Sequence, residues 1–407
     1  MKPSDFLLLP AWAAITAAVA IEDLPITRNG STLLLDNKPW KAVGANIYWL
    51  GLDENVSPPF PSSPEEVSTD YYAPLKASYP TKGRITEAMA VVKAMGGTMI
   101  RSHTLGVSTG NPLSLWPTGN GTVNDKAFAP IDWAVYQARR HGIRLMVPLT
   151  DNFDYYHGGK YNFLRWNGFD LTQQKDERNL AVMAFFNNAT VVASFKRYIS
   201  ALLTHVNPYT NLTYADDPTI FAYETGNELC GPVWGDLNVP ASWVREIGQY
   251  VKSLAPRKLF VDGTYGVNRT HLVIEEVDIF SDHFYPISIN KLKADLDLVA
   301  SVNKPYFAGE YGWLGNAASS DADMVSWYKV LEQSPFVAGD AFWSLFGHNV
   351  PDCNSFINHN DGFTMQYGNP SHTTQIKLVR QHFVKMSQNI SIGAAEALPS
   401  VPCPAPT

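Results

Sequence analysis

Short apolar runs of strand length alternate with longer segments of helical periodicity along most of this chain. A strand followed by a helix returns to its sheet in the same direction, so repeated units of this kind demand a parallel sheet. Eight apolar runs qualify: residues 42–47, 98–101, 144–149, 220–224, 258–262, 279–283, 305–310 and 341–344. Ile85 to Met95 is followed by Gly96-Gly97 and Ile131 to His141 by Gly142, and a glycine just past a periodic segment supplies a helix stop. Residues 191–205, 242–254, 289–302, 322–333 and 373–387 carry the same period, whereas the connection between the fifth and sixth runs is too short for a good helix. Ahead of the first run, Leu33 to Lys41 reads as a hairpin, with turn residues between apolar stretches. Eight units over about 350 residues suit an α/β fold of the (β/α)8 TIM-barrel type, with enlarged βα loops and an N-terminal hairpin. No glycine-rich dinucleotide fingerprint follows the first run, which removes the main support for a Rossmann sheet. One catalytic domain over residues 21–390 is expected, followed by a Pro-rich tail over 391–407.

Residues 1–20 stand apart. Lys2 precedes an apolar stretch from Phe6 to Ala18, and Ala18-Val19-Ala20 gives a small-x-small cleavage pattern. The stretch is too short to span a bilayer and is interrupted by Pro10, so it reads as a secretory signal peptide. Asn-x-Ser/Thr sites at Asn29, Asn55, Asn120, Asn188, Asn211, Asn268 and Asn389 agree with export, and a secreted, extracellular glycoprotein is expected. Cys230, Cys353 and Cys403 allow at most one disulfide, of open pairing, and match no zinc spacing. Lys+Arg 31 against Asp+Glu 38 leaves a net charge of -7, without the basic face that nucleic acid requires. No later segment is long and apolar enough for a membrane span. A monomer using no cofactor and no metal is expected.

The long connections, Leu50 to Gly83, Leu105 to Pro130 and Thr150 to Ala189, each follow a strand and so belong at the carboxyl face of a barrel, where active sites are built. With Trp49 just ahead of the first, they bring Tyr71, Tyr72, Trp116, Tyr155, Tyr156, Tyr161 and Trp166 to that face. Buried strands should be apolar, so polar groups at their carboxyl ends need a reason. The fourth run leads into Glu224-Thr225-Gly226-Asn227-Glu228, and the seventh ends at Glu310. Two carboxylates about 5–5.5 Å apart in one mouth suit a retaining glycosidase, in which one attacks the anomeric carbon and the other protonates the departing oxygen. The acid needs a raised pKa, and the nucleophile needs donors that keep it ionised. Arg101 and Tyr285 are placed to serve Glu310, Asn227 to bond the sugar 2-OH, and Trp343 to offer a flat face to a pyranose ring. A bell-shaped pH profile on the acidic side is expected of such a pair.

These residues resemble glycoside hydrolase family 5, most closely its fungal and plant endo-β-1,4-mannanases. Gly44 to Leu50 is similar to the family's first-strand motif, whose tryptophan, here Trp49, lines a sugar site. Ile100-Arg101 matches the second-strand arginine, and Asp151-Asn152, Gly158-Gly159-Lys160-Tyr161 and Trp166 resemble the third loop. The resemblance implies Glu228 as acid/base beside Asn227, Glu310 as nucleophile, and substrate contacts from Asn152, His283, Tyr285 and Trp343. It extends from about Ile26 to Gln388 and implies a β-linked, mannan-type polysaccharide substrate. Three positions depart from it: Leu229-Cys230-Gly231-Pro232 replaces a Pro-Arg after the acid, His103 replaces an aromatic, and Glu310 follows glycine rather than a second acid. Alternatives are a β-glucanase or an exo-acting β-mannosidase of the same family, or a barrel that binds polysaccharide without cleaving it. A metal-dependent hydrolase using His103, His283 and Glu228 would want a His-x-His on the first strand, where this chain has Asn46.

Overall fold

Asp36 and Asn37 adopt positive φ of 52° and 57°, a backbone that short polar side chains tolerate and that two-residue hairpin turns require. They join β2 (Thr32–Leu35) to β3 (Lys38–Pro39), and β1 (Thr27–Asn29) pairs antiparallel with β2. In this computed structural model, residues 23–55, 77–171, 180–231, 238–313, 320–359 and 361–404 are described. Residues 1–20, expected as a leader, lie outside them, as do Tyr71, Tyr72 and Pro232.

Eight strands follow the meander: β4 (Ala42–Asn46), β5 (Met99–Arg101), β6 (Arg144–Pro148), β7 (Ile220–Glu224), β8 (Leu259–Asp262), β9 (Ile279–Phe284), β10 (Tyr306–Tyr311) and β11 (Val337–Phe342). Each pairs in parallel with its neighbour in sequence, and β11 closes on β4, so the sheet has no free edge. The tight closure shows at Gly44, where a Cβ would sit 1.7 Å from the Met99 carbonyl oxygen. Ile26 and Leu33 of the N-terminal segment join Met99, Met146, Phe221, Leu259 and Phe307 in one buried cluster. The meander therefore lies against the amino ends of the barrel strands and leaves their carboxyl ends free for a site.

The helices α1 (Lys82–Ala94), α2 (Phe128–His141), α5 (Ala189–Leu203), α6 (Ala241–Leu254), α7 (Ile289–Ala300), α8 (Asp321–Gln333) and α9 (Thr373–Gln388) occupy the expected segments. Gly142 ends α2 in the left-handed region at φ 69°. Between β8 and β9 stands only a single 3-10 turn, Arg269–His271, pinned by His271 to Asp262 and the Val239 carbonyl. Two short helices, α3 (Lys160–Trp166) and α4 (Leu180–Asn187), occupy the third long connection, which the sequence reads as loop.

The eighth strand is a correction, since it spans 337–342 rather than 341–344. Gly339 and Asp340 interrupt its apolar pattern, which hides it from a search for hydrophobic runs. Asp340 is fully buried and accepts from Tyr311 Oη at 2.6 Å and lies 2.9 Å from His382 Nε2 on α9. A further short pair, β12 (Leu345–Phe346) with β13 (Met365–Gln366), precedes α9. The C-terminal segment returns along this region, where Pro399 O accepts from Tyr367 Oη and a disulfide joins Cys353 to Cys403. Cys230 is buried and takes no part in that disulfide. No helix among the described residues is long and apolar enough to cross a membrane.

Burial opposes charge on His382, but Asp340 and Glu332 outweigh it and hold the imidazole up at about 9. Its contribution to stability is therefore complete below its unfolded value near 6.5 and is lost as pH rises through 9. Asp340→Asn should lower unfolding free energy by about 3 kcal/mol at pH 6. Denaturant titrations should show that deficit shrinking toward pH 10; a pH-independent deficit would contradict the charged pair.

Candidate active site

Arg101 ends β5 fully buried, and each arm of its guanidinium meets an acceptor. Nε donates to Glu224 Oε2 at 2.8 Å, Nη1 to Glu310 Oε1 at 2.7 Å and Asn46 Oδ1 at 3.0 Å, and Nη2 to Asn227 Oδ1 at 3.0 Å. A planar fork fixes directions as well as charge, so Arg101 sets where both carboxylates lie. Burial works against its charge, but Glu224 and Glu310 hold its pKa above the usual arginine value.

Glu310 lies on β10 at a register shift, where the pairing with β9 passes from Ala308↔Asp282 to Glu310↔His283. Gly309 occupies the shift, and a Cβ there would come within 2.7 Å of His283 Nε2. The bare residue thus admits the imidazole beside Glu310, while Asn46 Nδ2 donates to the Gly309 carbonyl at 2.8 Å. Tyr285 Oη donates to Glu310 Oε2 at 3.1 Å.

Glu228 lies four residues beyond β7 in a turn clamped on both sides. Asn227 N donates to Thr150 O, Asn152 N to Asn227 O, and Leu229 N to Gly263 O, all within 2.9–3.1 Å. These bonds hold Glu228 and Cys230 at φ 48° and 54°, a region that side chains larger than asparagine adopt only under constraint. The result turns the Glu228 carboxyl toward β9 and β10. His283 Nδ1 is 2.8 Å from Glu228 Oε1 and 3.5 Å from Glu310 Oε2. One carboxylate oxygen from each glutamate and a His283 ring nitrogen all fall within 4.8 Å of one another. That separation belongs to the short spacing of a double-displacement pair.

The two carboxyls differ in surroundings. Burial pushes Glu228 up to about 8, with Asp151 adding repulsion and Arg101 opposing it. Burial also pushes Glu310 up, but only to about 7, because His283 and Arg101 favour its charged form. Glu228 is accordingly the last to lose its proton. Burial lowers the pKa of His283 and drives that of His103 far down, so both rings are poor cations. Glu228, His283 and Glu310 also have the donor spacing of a cation site, but Arg101 already supplies the positive charge at Glu310. His103 is not part of that group.

A cleft of about 320 Å³ opens above the pair, walled by Tyr48, Phe153, Tyr155, Tyr156, Tyr285, Trp343 and Phe363, with polar Glu54, His103, Asp151, His157, Asn227 and Asp361 among them. Trp343 stacks on Tyr48 at 5.3 Å and 10°, and its Nε1 donates to Asp361 Oδ2 at 2.8 Å. Its ring is thereby held as a fixed apolar face. Of the residues singled out from sequence, Glu228, Glu310, Asn227, Tyr285 and Trp343 line the cleft, and Arg101 and His283 touch the carboxylates. Two are placed elsewhere. Trp49 is buried against the Arg84 guanidinium and Phe346, and its neighbour Tyr48 faces the cleft instead. Asn152 is fully buried, and its Oδ1 accepts from Cys230 N and Lys160 Nζ, so it braces the turn that carries Glu228. Asp151 stands at the end of an apolar run and carried the same signal as Glu224 and Glu310; Glu54, Asp361 and Phe363 lie in irregular loops without one.

A closed eight-stranded barrel bearing this carboxylate pair beyond its fourth strand and on its seventh is the architecture of a (β/α)8 glycoside hydrolase. The chain belongs to glycoside hydrolase family 5: the group described as GH family 5 beta-mannosidase-like matches residues 72–292, more than half of the chain. Mannan endo-1,4-beta-mannosidase 8 of Oryza sativa subsp. japonica is 30% identical over 261 residues, 63% of this chain. The chain spans only 61% of that rice protein's length. Mannan endo-1,4-beta-mannosidase 1 of the same plant is 24% identical over 426 residues, with 92% of this chain and 89% of the relative covered. Among solved structures, the endo-1,4-beta-mannanase of Rhizomucor miehei shares the fold, with a TM-score of 0.67 at 23% identity over 89% of this chain and 99% of that one.

Tyr285→Phe removes one charge-assisted hydrogen bond from Glu310 while keeping the ring. Turnover should fall by roughly 10- to 100-fold with unchanged thermal stability. An unaltered rate would mean that the Tyr285 hydroxyl does not support the nucleophile.

Proposed function

We propose that this chain is a secreted, retaining endo-β-1,4-mannanase that cleaves mannan and glucomannan by double displacement and acts as a monomer. The observation that carries the reading is the unequal pair of Glu228 and Glu310, within 4.8 Å across one aromatic cleft. In the first step Glu310 attacks the anomeric carbon, the glycosidic C–O bond breaks, and Glu228 delivers its proton to the departing oxygen. In the second, Glu228 takes a proton from water, the water oxygen bonds to the anomeric carbon, and Glu310 is released. Arg101 and Tyr285 keep Glu310 aimed, since both contact its oxygens in the resting site. Asn227 Oδ1 accepts from Arg101 and its Nδ2 reaches Asp151, which fixes the amide and leaves one of its hydrogens for the sugar 2-OH. Trp343 carries the apolar face of the ring.

The substrate class is supported by the relatives, which are named mannan endo-1,4-beta-mannosidases. Export and glycosylation are supported by the apolar leader over residues 1–20 and the sequons downstream.

Products should be compared after incubation with mannan, glucomannan, cellulose and β-1,3-glucan. Mixed short manno-oligosaccharides from mannan are expected; glucose oligomers alone, or mannose released singly, would overturn the substrate or the endo assignment. Glu310→Ala should abolish turnover with the fold retained. Glu228→Gln should lose several orders of magnitude on mannan but less on an aryl mannoside whose leaving group needs no proton; equal losses would remove the acid role.

Productive enzyme requires ionised Glu310 and protonated Glu228. The rate should therefore fall below about pH 7 and above about pH 8, a bell centred nearer neutrality than ordinary carboxylates would give. A single alkaline plateau would contradict these assignments.

A further inference from the structure

We propose that Asn211 carries an N-linked glycan whose first N-acetylglucosamine lies on an aromatic shelf made by Tyr209, Tyr136 and Trp133. The inference rests on the export reading above and goes beyond it by choosing among the sequons and giving one glycan a structural task.

Asn211-Leu212-Thr213 lies in a tight reversal after α5. Asn211 N donates to Asn207 O at 2.8 Å, Asn207 N to Leu212 O at 2.9 Å, and Tyr209 N to Asn207 Oδ1 at 2.9 Å, while Val206 bridges Thr213. Asn211 takes a left-handed φ of 56°, which asparagine tolerates, and its side chain is exposed. Two residues before it stands Tyr209, 42% exposed and the one aromatic among the strongly exposed large hydrophobic side chains of the described residues. Val206, in the same reversal, is also exposed.

The shelf is rigid before any sugar arrives. Tyr209 stacks on Tyr136 at 5.1 Å and meets Trp133 edge-on at 5.3 Å. Trp133 Nε1 donates to Lys82 O at 3.1 Å and Thr86 Oγ1 at 3.2 Å, which fixes the indole on the barrel's outer wall. Lys82 Nζ lies 4.5 Å from the Trp133 centroid and 5.5 Å from that of Tyr209 and so caps one side of the cluster; the part of Tyr209 left exposed costs little entropy to cover, and the C–H groups of a pyranose suit it. None of these three aromatics lines the catalytic cleft.

Two other sequons lack this fit. Asn55 Nδ2 donates to Asp53 Oδ1 at 3.2 Å and Tyr48 Oη at 3.3 Å, and Asn268 Nδ2 is buried beneath its own turn. A glycan on either nitrogen would have to break these contacts or open the turn, whereas Asn211 is exposed two residues from the exposed Tyr209. In the covalent step, Asn211 Nδ2 bonds to the anomeric carbon of a lipid-linked diphosphate oligosaccharide. The C–O bond to diphosphate breaks, the lipid diphosphate leaves, and one amide proton passes to solvent.

The full chain should be made in yeast behind a host leader, so that entry to the secretory pathway does not depend on residues 1–20, and read without any activity assay. Glycopeptide mass spectrometry should find Asn211 occupied and Asn55 and Asn268 bare. Asn211→Asp, which tolerates the same backbone, should lower Tm by roughly 1–3 °C, the scale of one aromatic contact in a large domain. The same substitution should change nothing in a Tyr209→Ser background, or in either chain made in bacteria without glycan. A bare Asn211, or a Tm loss that persists without Tyr209, would overturn the proposal. So would mannan binding to the glycan-free shelf that Tyr209→Ser abolishes, which would make the shelf a polysaccharide surface.

Discussion

The guanidinium of Arg101 is the interaction on which the site depends. Two carboxylates, Glu224 and Glu310, are buried against it at the carboxyl end of a barrel whose other end is filled by an apolar cluster. Without that cation, burial would favour the protonated form of Glu310 still further. Because the fork also binds Asn46 and Asn227, it links the carboxyl ends of β4, β5 and β10 with β7 and the turn beyond it. The charge arrangement and the closure of the barrel are thus one structure. Strand pairing brings the ends of β4, β5 and β7 round to Arg101, and Arg101 in turn offsets the cost of an acid on β10.

Local deformations then tune what the barrel supplies. The register shift at Gly309 makes space for His283 between the two glutamates. The left-handed residues Glu228 and Cys230 bring the acid back over the mouth, and the bonds from Thr150, Asn152 and Gly263 hold them there. Such constrained geometry survives only where surrounding contacts over-determine it, and here three successive strand ends provide them.

Most of the scaffold was legible in the sequence because hydrophobic burial writes it directly. Seven of the eight strands leave apolar runs that mark their place, β9 despite Ser281, Asp282 and His283. The eighth does not, since Asp340 satisfies Tyr311 and His382 in the core and so looks like a surface residue. Glu228, Glu310 and Arg101 were legible for the converse reason: charge at the end of a buried strand must be compensated. Trp49 and Asn152 misled because residue type cannot tell which of two adjacent side chains turns into the mouth. Tyr48 does so, and Trp49 turns back toward Arg84. The lining from Glu54, Asp361 and Phe363 comes from irregular loops, whose placement rests on tertiary packing rather than on any local period.

The two jobs of the cleft are carried by different parts of the chain. The atoms that set charge come from strand ends and the short turn beside them, while much of the surface that would touch a saccharide comes from the longer connections. Such a division lets insertions, deletions or swapped segments retool what the cleft admits without disturbing the carboxylate pair. It makes the outer connections the natural targets for laboratory evolution and leaves the inner ring as the part a breeder of new specificities should keep.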